Sequence, residues 1–200
     1  MDRETLEFYE HRGREWAAAH PLPAQSPQLD PFLDLLAPGS RILELGCGDG
    51  RDAERMIARG FEVHPSDGSP RMAQLASERL GRDVPVMRFA ELDAVEAFDA
   101  VWCQATLLHL PERELPAVLA RIHRALRPGG RHWASYKGGE GGGRDPHGRF
   151  FSYLPADRVE AAYRAAAPWA EFEISTSDGF SFGHVPTPWH NVLARKRPPC

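Results

Sequence analysis

The chain has 200 residues, 42% hydrophobic and 26% charged, which suits one globular domain able to bury a core without disulfides or metals. Its formal net charge of −4 argues against a nucleic acid or an anionic membrane surface as the main partner. The three distant cysteines, Cys47, Cys103 and Cys200, offer no zinc or disulfide spacing.

The first segment, Arg3 to His20, is a helix candidate with Leu6, Tyr9 and Trp16 at helical spacings. The N-terminal "MDRETLEFYEHRGREWAAAH" is charged from its second residue, without the apolar region of an export signal, and no run approaches the ~18 apolar residues of a membrane span. A cytoplasmic protein is therefore expected. "PLPAQSP" breaks the helix, and Pro31 to Leu36 reads as a short second one. Arg41 to Leu45 is a buried strand candidate, followed by a helix over Arg51 to Arg59 that Gly60 stops. Phe61 to Pro65 is a second strand; Ser69 as N-cap and Pro70 at the first helical position open a helix that Gly81 closes. Val84 to Phe89 and Phe98 to Cys103 read as strands three and four. Glu112 to Leu126 has the clearest 3.6-residue period, through Leu115, Val118, Leu119, Ile122 and Leu126. "RPGG" ends it, "RHWASY" is the fifth strand, and a glycine-rich loop over Lys137 to Gly148 leads to a helix over Ala156 to Ala167. "WAEFEIST" and "WHNVLARK" are two strands with no helix between them, an antiparallel hairpin.

Strands alternating with helices predict an α/β fold: a doubly wound, mostly parallel, seven-stranded sheet ending in that hairpin, with ligands at the strands' carboxyl ends. One domain over 1–200 is expected, with 1–36 a helical cap and 37–200 the core.

"ILELGCGDG" ends the first strand in Gly46, Gly48 and Gly50. A strand running through such a loop into a helix turns backbone N–H groups toward a ligand. Asp67, about 20 positions on and at the end of the next strand, suits the two hydroxyls of a ribose. A dinucleotide turn wants its third glycine where Arg51 stands, and no G-K-[ST] phosphate loop is present. Glu44 before the loop suits a ligand with a positively charged amino-acid tail and would repel a pyrophosphate.

With these residues in place, the chain resembles the class I S-adenosylmethionine-dependent methyltransferases. "ILELGCGDGRDAERMIARGFEV", "SDGSPRMAQLA", "FDAVWCQATLLHLP" and "IHRALRPGGRHWASY" match successive motifs of that family, and among its branches the chain looks like the small bacterial tellurite-resistance-related type. The resemblance implies that Glu44, Gly46, Cys47 and Gly48 hold the methionine moiety, with Arg51 near its carboxylate. Asp67 binds the ribose, Gly68 and Ser69 flank the adenine, and Leu92 within Glu91–Asp93 contacts it. Gln104 lines the methionyl side. S-adenosylhomocysteine is the implied product.

The acceptor side is less defined. His109 in "LLHLP" falls at the mouth, either as a base or as a packing histidine, and Tyr136 is the other catalytic candidate. Tyr9, Lys137, Arg144 and Arg149 are the substrate candidates, the two arginines suiting an anionic or carboxylate-bearing molecule. Cys47 reads as a small loop filler, and His184 and His190 lack a third ligand for a metal. Two readings follow: in-line methyl transfer to a small molecule, or a non-catalytic sensor or scaffold that binds the same cofactor. A nicotinamide dehydrogenase is disfavoured by Arg51. No oligomeric state follows from the sequence.

Overall fold

A computed structural model describes residues 1–19, 26–181 and 185–199; His184, Cys200 and part of the "PLPAQSP" break lie outside them. The elements in chain order are α1 (Arg3–Ala19), α2 (Leu29–Leu33), β1 (Arg41–Leu45), α3 (Arg51–Ala58), β2 (Glu62–Ser66), α4 (Pro70–Leu80) and β3 (Phe98–Cys103). There follow α5 (Leu115–Ala125), β4 (Leu126–Lys137), β5 (Gly142–Arg144), β6 (Phe150–Ser152), α6 (Ala156–Ala166), β7 (Trp169–Ser181) and β8 (Val185–Lys196).

The main sheet has the order β2-β1-β3-β4-β8-β7. β2, β1, β3 and β4 are parallel, while β8 runs antiparallel to both β4 and β7. This is the expected fold with six strands in place of seven. The missing strand is Val84 to Phe89, reduced to one bridge between Asp67 and Val86. Pro85 has no N–H to give a ladder, so the ribbon holds through Asp67 N to Pro85 O at 3.4 Å and Met87 N to Asp67 O at 2.8 Å.

The expected "RPGG" turn is absorbed into β4 as an irregularity between the Phe98–Leu126 and Ala100–Arg131 pairs. The glycine-rich segment after β4 is more ordered than a plain loop: β5 and β6 pair across Asp145–Gly148. The α4 caps follow the sequence, with Ser69 Oγ accepting from Met72 N and Gly81 left-handed at φ 64°.

Strand alternation divides the core. Val101, Cys103, Ala134 and Tyr136 pack with Leu119 and Ile122 of α5 and Val159 and Tyr163 of α6. Ile42, Ala100, Trp102 and Trp133 pack with Phe32 of α2 and Met56 of α3. Trp102 and Trp133 stack at 4.0 Å, and the Trp102 indole donates to Asp52 at 2.9 Å. The carboxyl ends of β1, β2, β3 and β4 therefore meet along one edge, where the glycine loop, Asp67, Gln104 and Lys137 follow them. Among the described residues no helix is long and apolar enough to cross a membrane.

Candidate cofactor groove and acceptor chamber

The glycine loop is left-handed at alternate positions, with φ of 72° at Gly46, 59° at Gly48 and 82° at Gly50. Gly46 and Cys47 both donate N–H to the Ser66 carbonyl, at 2.8 and 3.0 Å, which pins the loop across the end of β2. A Cβ at Gly46 would lie 2.0 Å from Thr106 Oγ1, so only glycine fits beneath the segment after β3.

Asp67 organises the floor. One carboxylate oxygen accepts the Gly48 N–H at 3.0 Å and the other the Ser69 N–H at 2.8 Å. Burial raises its pKa to about 6 despite those bonds. Each oxygen keeps lone-pair capacity for a further donor.

Glu44 is the anomaly. It is 3% exposed, and its Oε2 has no hydrogen-bond partner. Burial, then repulsion from Asp52, Asp67 and Asp49, pushes its carboxyl well above the usual range. An orphaned acid among acids is costly unless a cation arrives. The ammonium and sulfonium of S-adenosylmethionine meet that need, the Gly46–Gly50 cradle exposes its backbone, and Asp67 can take ribose hydroxyls. The residues fit the cofactor that the sequence resemblance implied.

A narrow pocket continues from this cradle between Gly46, Gly68 and Thr106 on one side and Met87 and Phe89 on the other, with Leu6 of α1 at its wall. Leu92, expected at the adenine, is instead 2% exposed in the core, its carbonyl taken by Arg121 and Arg124. Met87–Phe89 form the wall at that point because the ribbon turns inward there. Arg51 bonds Asp49 and the Ala17 carbonyl, tying α3 to α1. Gln104 accepts from the hydroxyls of Ser26 and Ser135 at 3.3 and 3.4 Å. Cys47 is 7% exposed, and burial and Glu44 push its thiol well up, so it is a protonated filler and not a nucleophile.

α1 closes over both halves of the site. Glu10 accepts the Arg71 N–H at 2.9 Å, at the amino end of α4, where a carboxylate is favoured. Gly13 lies flat on Met72, where a Cβ would fall 2.6 Å from the sulfur. Arg144 holds Asp2 and Glu4 at 3.0 and 3.1 Å, and the Phe150 N–H donates to Thr5 Oγ1 at 2.8 Å.

Beneath α1, His109, Tyr9, Arg149 and Lys137 come together. His109 is 3% exposed and its Nδ1 lies 2.7 Å from the Phe150 carbonyl, so Nδ1 carries the proton. Its Nε2 is left to accept from the Tyr9 hydroxyl at 3.2 Å. Burial lowers the His109 pKa to about 4, which keeps it neutral at pH 7. Arg149 reaches the same Tyr9 oxygen at 3.4 Å and grips Asp145 through Nε and Nη2 at 2.9 and 2.7 Å. Lys137 Nζ sits 3.6 Å above the Phe151 ring.

Two further expectations need correction. Tyr136 does not enter this chamber: strand alternation turns it onto the α6 face, where its hydroxyl meets Tyr163 at 3.0 Å and Tyr163 meets His132 at 2.9 Å. Arg144 does not reach an acceptor either, because its guanidinium is taken by the start of α1. The sequence reading missed Thr106, Met87, Phe89, Glu10 and Asp145. Asp145 alone left a signal, in the turn-forming "DPHG" four residues before Arg149. Among the described residues no group of three or more His, Cys, Asp or Glu is placed to hold a metal ion.

Known proteins resemble the chain over this same region. A family described as a methyltransferase domain matches residues 42–130. A ubiquinone biosynthesis O-methyltransferase from Chromobacterium violaceum is 36% identical over 88% of this chain and 72% of its own length. One from Paracidovorax citrulli is 34% identical over 64% of this chain and 58% of its own length. Across several other curated methyltransferases the chain spans 32% to 43% of their length. Among solved structures, the 1,6-didemethyltoxoflavin-N1-methyltransferase of Burkholderia thailandensis superposes with a TM-score of 0.73 at 24% identity, covering 94% of this chain and 84% of that one.

Proposed function

The chain belongs to the class I S-adenosylmethionine-dependent methyltransferases, and from that premise we propose that it moves a methyl group from this cofactor to a small molecule by in-line displacement. The observation that carries the reading is the buried Glu44 Oε2 without a partner, at the mouth of a glycine cradle whose other wall is Asp67. S-adenosylmethionine supplies an electrophilic methyl on a sulfonium that departs as a neutral thioether.

The protein's own task is alignment, which can lower a barrier by ~7–11 kcal/mol when the reacting atoms are held in line. Glu44 takes the ammonium of the amino-acid tail, and Asp67 takes the ribose hydroxyls. Gly46, Cys47 and Gly48 let the tail approach the backbone, while Gly68 and Ser69, with the Met87–Phe89 ribbon, bound the adenosine. Gln104, fixed by Ser26 and Ser135, faces the methionyl portion. α1 excludes water and brings Tyr9 to the acceptor chamber, where Tyr9, His109, Arg149 and Lys137 hold the acceptor. A neutral His109 with a low pKa serves better as a hydrogen-bond acceptor that orients than as a base that removes a proton.

The narrower reading places the chain with the tellurite-resistance-related branch, as one domain over 1–200, cytoplasmic, acting on a free metabolite and not on nucleic acid or a membrane. The net charge of −4 supports the last part of that reading, since it does not favour a polyanionic partner. Calorimetry with S-adenosylhomocysteine and with NAD tests the cofactor, followed by label transfer from methyl-labelled cofactor into a metabolite extract. Binding of the first ligand, none of NAD and label in a small product are expected; NAD binding alone would overturn the proposal.

A further inference from the structure

Lys137 is the one cation of the acceptor chamber whose counter-charge is missing among the described residues. It stands at the carboxyl end of β4, 5% exposed. Phe151 lies 3.6 Å beneath its ammonium, and the Trp189 and Tyr153 rings lie at 5.8 and 6.0 Å. No carboxylate among the described residues comes within ion-pair distance of it. The other cations are answered: Arg149 by Asp145 at 2.7 Å, and Arg144 by Asp2 and Glu4. Around the Phe151 ring, Arg149 is paired with Asp145, Lys137 has no such partner, and His109 is neutral.

Ring faces attract an ammonium but supply no hydrogen-bond acceptor and no neutralising charge. An ammonium largely withdrawn from water, with rings as its protein neighbours, is poorly compensated, and an arriving anion relieves that.

We propose that the methyl acceptor is an anionic small molecule with a flat apolar body, and that Lys137 is the residue that recognises its charge. The inference rests on the methyltransferase reading for the word acceptor, and on the chamber alone for the charge. The aromatic walls Tyr9, Phe151, Tyr153 and Trp189 set the body's shape, and the ammonium sets its sign. An acceptor already anionic at its reacting atom would also need no strong base, in keeping with the neutral His109.

The charges facing Lys137 are Arg149 and Asp145 from the hairpin turn, with the neutral His109 from the segment after β3 beside them. Burial, then Arg149, lowers its pKa to about 8, with Asp145 opposing. Anion binding should therefore weaken as pH rises through about 8.

The test uses three probes of one size and different charge: benzoate, benzyl alcohol and benzylamine. Titrations are run on the whole chain with and without S-adenosylhomocysteine. Benzoate should bind at millimolar concentration or better, ahead of the other two, and Lys137→Met should cost it roughly tenfold or more. Lys137→Arg should keep benzoate affinity and lose its decline above pH 8. Equal thermal melting and equal S-adenosylhomocysteine affinity in the variants show an intact fold and cofactor site. Benzylamine or benzyl alcohol binding as well as benzoate, no benzoate binding, or undiminished benzoate affinity in Lys137→Met overturns the proposal. A failure of S-adenosylhomocysteine to bind the wild type speaks against the methyltransferase reading instead, while the benzoate arms without it still decide the partner of Lys137.

Discussion

Glu44→Gln separates a residue kept for a ligand from one kept for the fold, because the two roles give opposite signs. The substitution keeps the shape of a side chain that is 3% exposed and removes only its capacity for charge. In the free protein that charge is unwelcome: Oε2 has no partner, and Asp52, Asp67 and Asp49 repel it. Because the folded-state pKa is raised, the native chain keeps a proton that the unfolded chain releases above about 4.5. Folding then takes up a proton, and stability declines as pH rises from there. Asp67 adds the same sign only up to about pH 6, and other buried groups titrate as well, so the difference between Glu44→Gln and wild type in urea denaturation above that pH is what reads Glu44. Glu44→Gln should match or exceed the wild type there, with the advantage growing toward alkaline pH. Cofactor binding should move the other way. Losing a charge-assisted hydrogen bond to an ammonium costs ~1.5–3 kcal/mol, about 10- to 150-fold in affinity. Calorimetry with S-adenosylhomocysteine reads this directly. A variant less stable than wild type, with unchanged affinity, would refute the assignment.

Gly46→Ala should lose ~1–2 kcal/mol to its left-handed backbone alone, and more to the overlap with Thr106; urea denaturation of Gly46→Ala/Thr106→Ala should show partial recovery, since the Thr106 Cβ still lies 2.7 Å away. Asp67→Ala should weaken S-adenosylhomocysteine binding by roughly a hundredfold, two charge-assisted bonds being lost. Wild-type affinity should also fall below about pH 6, where Asp67 holds a proton, and Asp67→Asn should flatten that profile in calorimetric titrations. Arg149→Met removes the guanidinium from a half-buried Asp145 that keeps the His147 and Arg149 N–H groups, so it should cost ~1–3 kcal/mol, and thermal melting of Arg149→Met/Asp145→Asn should recover part of it.

Local patterns with a physical period are legible in the amino-acid order alone. The Ser69–Pro70–Gly81 frame of α4, the α5 stripe and the Gly46–Gly50 loop read directly, because caps, helical period and left-handed glycines are properties of a few adjacent residues. What failed was decided by neighbours far away in sequence. Val84 to Phe89 looks like a strand until Pro85 meets the end of β2. Tyr136 looks like a mouth residue until the parity of β4 is fixed by pairing with β3 and β8. Arg144 and Arg149 read as two free cations, and only α1 and the β5–β6 turn show which carboxylates each one takes. Thr106 carried no signal at all, since its importance is the space it occupies above Gly46.

On the proposed reading, the acceptor side is assembled from separate pieces of chain: Tyr9 on α1, His109 after β3, Lys137 at the end of β4, and the Asp145–Arg149 turn. The Glu44, glycine-loop and Asp67 machinery lies instead in one stretch of 24 consecutive positions, 44 to 67. This division makes the scaffold modular. A rewritten β5–β6 turn would change the acceptor side while leaving the donor machinery intact, whereas α1, which also walls the cofactor pocket through Leu6 and holds Arg51 through Ala17, serves both. Gly13 marks a boundary for any graft of α1: a Cβ there would fall 2.6 Å from the Met72 sulfur, so a replacement helix carrying a side chain at that position must push this thioether aside to seat.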